Sequence, residues 1–454
     1  MTLKKVSVIA AAVASAMLSG GAAAAEVDYH GYMRAGMGFN SNGGSQVCYG
    51  NGGPSAHVVG RLGDECDMYG EFILNANKLY ENQGNSFNAH TLLAFGTAED
   101  GGPIQRDTRG SSFQGIGDPD SPWSGQRASF REAWVDYTME DGMSLWAGKR
   151  YYGRKDVHIL DMYYVNTSGD GVGVENIKLG EGNFSAAVFN RKWKAPLETK
   201  DDPSTPEDET KNLESTQLYT TVPTLDLRYG GLNVNENGSL DFTLLVSKPF
   251  YTDAQKDAIE NGTGNAADHD SYGLEQTGYN LTVEHTQGDF FGGFNKFVVQ
   301  YSTEGYAWDS YGINSHMGIG YNIETQQEGR KTLRIIDWGV IAGETWDMGY
   351  SFVYSQLDNP GSSKKGKRYN AVVRPSYKWS ETMSTVVEAG YYVQDDPWMT
   401  ESQDLSKITL AQQWQAGKSF WARPAIRVFA SMYNGDYAIE KNDMMVGAQI
   451  EAWW

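Results

Sequence analysis

Three features of the sequence predict an all-β fold whose strands cross a membrane as a closed barrel. Apolar and polar residues alternate at period two near both ends of the region Glu26 to Trp454, as in strands with one greasy and one polar face. Connections between such stretches are short and long in turn, as when turns emerge on one side of a membrane and loops on the other. After the first residues, no stretch approaches the roughly 18 uninterrupted apolar residues of a spanning helix. A barrel strand turns half its side chains to a polar lumen. A chain only 40% hydrophobic yet 13% aromatic, with 53 Gly and 13 Pro, suits that requirement.

The chain opens with Lys4 and Lys5, an apolar run from Val6 to Leu18, and small residues at Ala23 to Ala25. Residues 1–25 therefore read as an export signal cleaved after Ala25, leaving 26–454 as one barrel domain. In the first strand Gly31, Met33, Ala35, Met37 and Phe39 alternate with His30, Tyr32, Arg34, Gly36 and Gly38. In the last, Val446, Ala448, Ile450, Ala452 and Trp454 alternate with Gly447, Gln449, Glu451 and Trp453. The pattern recurs in Met68 to Leu74, Phe184 to Phe189, Asn295 to Tyr301, Met383 to Val393 and Pro424 to Met432.

Short connections fall at Asp141-Gly142, Gly180 to Asn183, Asn235 to Gly238, Gly343 to Asp347 and Ala416 to Ser419. Long ones run from Asn40 to Cys66, Glu99 to Ser129, Gly153 to Gly171, Trp193 to Glu214, Tyr251 to Leu274 and Thr303 to Gly329. Counting segments gives about eighteen strands, an even number, with sixteen the alternative. The expectation is an 18-stranded antiparallel transmembrane β-barrel with short periplasmic turns and long extracellular loops. Lys194 to Asn212 is the most acidic loop and reads as a solvated excursion.

Composition narrows the partners. A formal charge of −20 argues against nucleic acid. The only two cysteines, Cys48 and Cys66, lie in a Gly/Asn-rich loop of an exported chain, where a loop-closing disulfide is expected rather than a metal site or reactive thiol. No cofactor and no metal site are expected; Asp118-Pro-Asp120 reads as a turn.

The chemistry concentrates in WAGKRYYGRKDVHILDMYY, Trp146 to Tyr164. Arg150, Arg154, Lys155, Asp156, His158 and Asp161 stand beside Tyr151, Tyr152, Tyr163 and Tyr164. The plain reading is a salt-bridged solvated loop; the functional one is a set of donors, acceptors and ring faces for a polyhydroxylated ligand. If the polar face of each strand is luminal, Tyr32, Arg34, Tyr69, Glu71, Arg131, Phe294, Lys296, Trp421, Arg423, Arg427, Glu451 and Trp453 point inward. Closure sets the last two strands beside the first two, so Trp421, Trp453, Tyr32 and Tyr69 share one wall. A ring can take the C–H face of a pyranose while charged neighbours bond its hydroxyls. The alternative is a lipid-facing aromatic girdle, which the parity of Trp454 fits better than that of Tyr32 or Trp453.

HGYMRAG, RLGDECDMYGE, FREAWV, the Trp146 to Tyr164 stretch, EHTQ, GFNKFVVQY, LAQQWQAG, RPAIRVFA and the terminal WW together resemble segments of the maltoporins, outer-membrane maltodextrin channels. The resemblance runs along the whole of 26–454. It implies a homotrimer in the outer-membrane lipid, conducting maltose and maltodextrins by facilitated diffusion. It also implies an aromatic path of Trp123, Tyr69, Tyr32, Trp453, Trp421 and Phe294 from outside to periplasm, with Trp123 reaching in from a neighbouring subunit. The polar track it implies is Arg34, Arg61, Glu71, Arg131, Arg154, Asp156, His158 and Asp161, with Tyr163 narrowing a constriction loop at about 153–171. The loop carrying Trp123 is long and the last long loop, Asn434 to Asp443, is short, which departs from the family. Asn166 stands where an acid is expected, while Arg154 and Tyr163 favour maltodextrins over sucrose.

Two rivals remain at this level. A general diffusion porin needs no aromatic row. A secreted glycoside hydrolase would use Asp156 and Asp161 as acid and base, which requires a set separation and one raised pKa.

Overall fold

The computed structural model describes residues 26–43, 46–48, 57–65, 68–97, 105–106, 126–194, 219–253, 255–256, 275–313, 320–323, 325–438 and 444–454. Trp123, Cys66, the 1–25 segment, Asp118-Pro-Asp120 and most of the acidic 194–212 loop lie outside these residues. Cys48 is disulfide-bonded.

The period-two stretches fold into a single closed sheet of 18 strands. In chain order they are β1 Glu26–Asn40, β2 Tyr69–Asn82, β3 Asn85–Thr97, β4 Gln126–Thr138, β5 Ser144–Arg150, β6 Gly169–Leu179, β7 Gly182–Lys194, β8 Tyr219–Asn235 and β9 Gly238–Ser247. There follow β10 Gly278–Phe290, β11 Gly293–Thr303, β12 Lys331–Ala342, β13 Trp346–Asp358, β14 Gly366–Lys378, β15 Met383–Asp395, β16 Gln403–Gln415, β17 Ala425–Asn434 and β18 Met444–Trp453. Each pairs antiparallel with its chain neighbours, and β1 closes the ring on β18 with Tyr32 opposite Trp453 and Arg34 opposite Glu451. Closure satisfies every strand edge, the condition for a sheet in lipid.

Parity decides the two faces. On β17, Ile426 and Val428 are exposed while Arg427 and Ser431 are buried. On β1, Met33, Met37 and Phe39 face outward while Arg34 is buried. Exposed Trp346, Trp379, Trp414 and Trp454 mark the short-turn end, where indoles suit the membrane interface. Gly31 sits under the Trp454 ring: a Cβ there would lie 2.3 Å from the indole, so only glycine lets this ring lie flat.

One part of the lumen departs from a polar-in pattern. Val298, Ile336, Val353 and Val372 point inward from β11 to β14 and are fully buried. The connection between β5 and β6 folds into the barrel and covers them with Val157, Ile159, Leu160, Met162 and Tyr164. Each such side chain gains roughly 2 kcal/mol by leaving water. A second stretch, residues 57–65, turns inward from the β1–β2 connection. Its Val59 backbone oxygen lies 2.1 Å from where a Cβ on Gly390 would be, so a side chain there would push it out.

Candidate functional site: the constricted lumen

The inward connection is built so that one face anchors and the other serves the lumen. Lys155–Val157 pairs with Met162–Val165, joined by a single 3-10 turn at His158–Leu160. Asp161 closes the turn in the left-handed conformation, φ 49°, which an aspartate tolerates better than most residues. Val157, Ile159, Leu160, Met162 and Tyr164 are buried, while Arg154, Asp156, His158, Asp161 and Tyr163 keep part of their surface toward the channel. Of the four tyrosines singled out in the sequence, Tyr152 and Tyr164 are therefore structural, and Tyr151 and Tyr163 face the channel.

Glu284 on β10 holds the loop. Its carboxylate accepts from the Tyr164 hydroxyl at 2.6 Å and pairs with Lys155 and Lys296, each at 3.1 Å. Gln300 on β11 donates to the Tyr164 carbonyl at 2.7 Å. Lys155 also reaches Asp241 on β9 at 2.9 Å.

Across the channel five rings form a row. Tyr69 and Tyr32 are 6.1 Å apart, and Tyr32 lies nearly parallel to Trp453 at 6.5 Å and 17°. Trp421 and Phe294 are 6.4 Å apart at 26°. The gap between Trp453 and Trp421 is bridged by His158, 6.1 Å from the first and 4.9 Å from the second. His158 thus stands between the rings of the row, whereas the resemblance placed it in the polar track. Burial, with the Arg61 charge adding to it, pushes its imidazole well below its ordinary value, so the ring is neutral.

Alternating with these rings is a double-signed chain. Arg34 donates to Glu65 at 3.0 Å and to Asp161 at 3.2 Å. Arg61 is paired with Glu65 and with Glu451, and donates to the Tyr32 hydroxyl at 3.2 Å. Glu451 accepts from Arg423 at 2.7 Å and Arg427 at 3.0 Å, and the Arg423 guanidinium stands 4.4 Å over Trp453. On the loop side Glu71 accepts from the hydroxyls of Tyr69 and Tyr151. Arg154 stacks on Tyr151 at 3.7 Å and lies 5.0 Å from Tyr163. Burial, with the neighbouring Asp161 charge, raises the Asp156 carboxyl. Arg131 stands half-buried on β4, its charge felt at Tyr151.

The described members of both predicted sets therefore meet around one channel. Two contributors were not singled out in the sequence: Glu65 and Glu132, whose carboxylate accepts from the Tyr151 amide at 2.6 Å. Glu65 follows Arg61 by four residues, the one available signal. His57, Glu65 and Asp161 could converge on a cation. Each is already engaged, His57 by Asp64 at 3.1 Å and the two carboxylates by Arg34 and Arg61.

A closed barrel with a lipid-facing belt, a folded-in constriction and a charged, ring-lined lumen is a channel of the bacterial outer membrane. Its kind follows from comparison. A family model described as LamB porin matches residues 27–454. A maltoporin of Hahella chejuensis is 35% identical over 458 residues, spanning 100% of this chain and 98% of its own. One of Photobacterium profundum is 34% identical over 446 residues, spanning 95% and 94%. The chain belongs to the LamB porin family, and is a sugar-selective outer-membrane channel. Among solved structures, Acinetobacter baumannii OccAB1 aligns over 96% of this chain and 98% of its own, with a TM-score of 0.49 and 8% identity.

Proposed function

We propose that the channel carries maltose and maltodextrins by facilitated diffusion along the row Tyr69, Tyr32, Trp453, Trp421 and Phe294, with Trp123 as its outermost ring. The supporting observation is the spacing of the row, 6.1 to 6.5 Å between neighbouring rings with His158 closing the one gap. A pyranose resting on one ring meets the next before it leaves the first. Each contact is worth about 1 kcal/mol, and a series of weak sites lets a ligand advance without being trapped. Arg34, Arg61, Glu71, Arg131, Arg154, Asp156 and Asp161 offer donors and acceptors to the hydroxyl edge, and Tyr163 narrows the passage. These carboxylates serve as bonding partners for the passing sugar in a channel that performs no reaction.

The same reading makes the assembly a homotrimer in the outer-membrane lipid, with residues 1–25 removed on export and Cys48 joined to Cys66. Native gel mobility and reducing mass spectrometry test those three points. Liposome swelling tests the transport. Maltotriose flux should exceed that of raffinose, a trisaccharide of equal size, by about tenfold. Equal fluxes would return the protein to a size-sieving porin.

A further inference from the structure

Trp398 stands apart from the other exposed tryptophans. It is 58% exposed and lies just beyond the end of β15, on the side of the long loops. The exposed indoles of the short-turn end suit the membrane interface, but the outward positions at the top of β14 and β15 already carry Tyr369 and Tyr391 for that purpose. Trp398 instead stacks on Trp308, from the β11–β12 connection, with ring centres 5.4 Å apart and planes at 28°.

The support beneath the pair is built from charged groups. Arg368, buried and inward-facing on β14, lies 5.6 Å from the Trp308 ring. Asp396 fixes that guanidinium with two bonds of 2.9 and 2.8 Å. The Arg330 guanidinium lies 5.9 Å from the same ring. Inward parity of Arg368 sets the pair over the lumenal side of the rim. Stacked rings with arginine–carboxylate pairs at their edges are also the construction of the luminal row, where the carboxylate is Glu451.

We propose that Trp308 and Trp398 form a docking platform on the extracellular rim that holds a pyranose unit of a maltodextrin before the chain reaches the luminal rings. This rests on the maltodextrin reading above. The open face of Trp398 takes the C–H face of the sugar. A site outside the path changes how fast sugar arrives from that side and how fast it leaves to that side. It leaves the binding constant of the path unchanged.

The test is Trp398→Ala in the full chain, reconstituted in a planar bilayer with maltohexaose on one side at a time. Association rates come from current noise. The rate from the extracellular side should fall about fivefold, and that from the periplasmic side should stay put. Trp398→Phe, which keeps a ring face, should recover most of the loss. An equal change from both sides, or none, would overturn the platform. So would a variant that keeps its sugar rates but loses retention of lipopolysaccharide, since the rim would then bind membrane glycan. Wild-type channels unblocked by maltohexaose from either side would overturn the transport reading, and this one with it. Trp398 is exposed, and heat-modifiable gel mobility reports whether the barrel has formed.

Discussion

At the scale of single residues, the proposed path is a row of rings whose edges are held by charged partners. Tyr32 donates to Glu451 at 3.3 Å and accepts from Arg61, so its plane is fixed on both sides of the hydroxyl. Removing a ring takes one stacking contact of about 1 kcal/mol from every passing sugar. Tyr32→Ala and Trp453→Ala should each weaken maltohexaose block about fivefold while the open-channel conductance holds or rises. His158 sets a second expectation. Its imidazole pKa lies well below the ordinary value of about 6.5, so it stays uncharged as pH falls from 8 to 6. Sugar block measured over that range should be flat, and a step near pH 6.5 would place a charged imidazole in the row. Inward direction for Tyr32, Arg34, Glu451 and Trp453 was legible from parity alone. The bridging place of His158 was not, because it depends on a loop docking across the channel from β17 and β18.

At the scale of elements, the constriction depends on how the β5–β6 connection is held. Glu284 accepts from Tyr164, Lys155 and Lys296 together. Truncating it leaves two cations and a hydroxyl without their shared partner, a loss of roughly 3 kcal/mol. Glu284→Ala should therefore raise open-channel noise and mean conductance as the loop loosens, and an unchanged quiet trace would show that the apolar contacts suffice. The short helix Ala307–Tyr311 offers a pH handle in another loop. Burial raises the Asp309 carboxyl to about 6. The folded loop then holds that proton more tightly than the opened loop does. Its stability is greatest at low pH and declines as pH rises from the ordinary carboxylate value of about 3.9 to about 6. Cleavage by an added protease between residues 304 and 330 should quicken across that window, and Asp309→Asn should flatten the dependence. The strands themselves were readable in sequence, since lipid on one side and water on the other enforce period two. The inward Val298, Ile336, Val353 and Val372 were not readable as a docking floor, because what covers them comes from far away in the chain.

At the scale of the whole molecule, closure turns local pattern into function. Pairing β1 with β18 brings rings from the two ends of the chain into one wall, and folding two connections inward narrows the lumen beside that wall. Alternating short and long connections disclosed the barrel and its orientation, and the strand count followed within one hairpin. The distribution of charge between Glu65, Tyr151 and the luminal arginines needed coordinates, since those groups meet across the channel. On the proposed reading, selectivity rests on a passage where a sugar never loses contact. The most direct measurement is single-channel conductance of the purified protein in a planar bilayer, titrated with maltotriose, maltohexaose and sucrose. The expected result is concentration-dependent closure by both maltodextrins, stronger for maltohexaose because it spans more rings, and weak closure by sucrose. A current indifferent to chain length and to sugar type would contradict transport along the aromatic row.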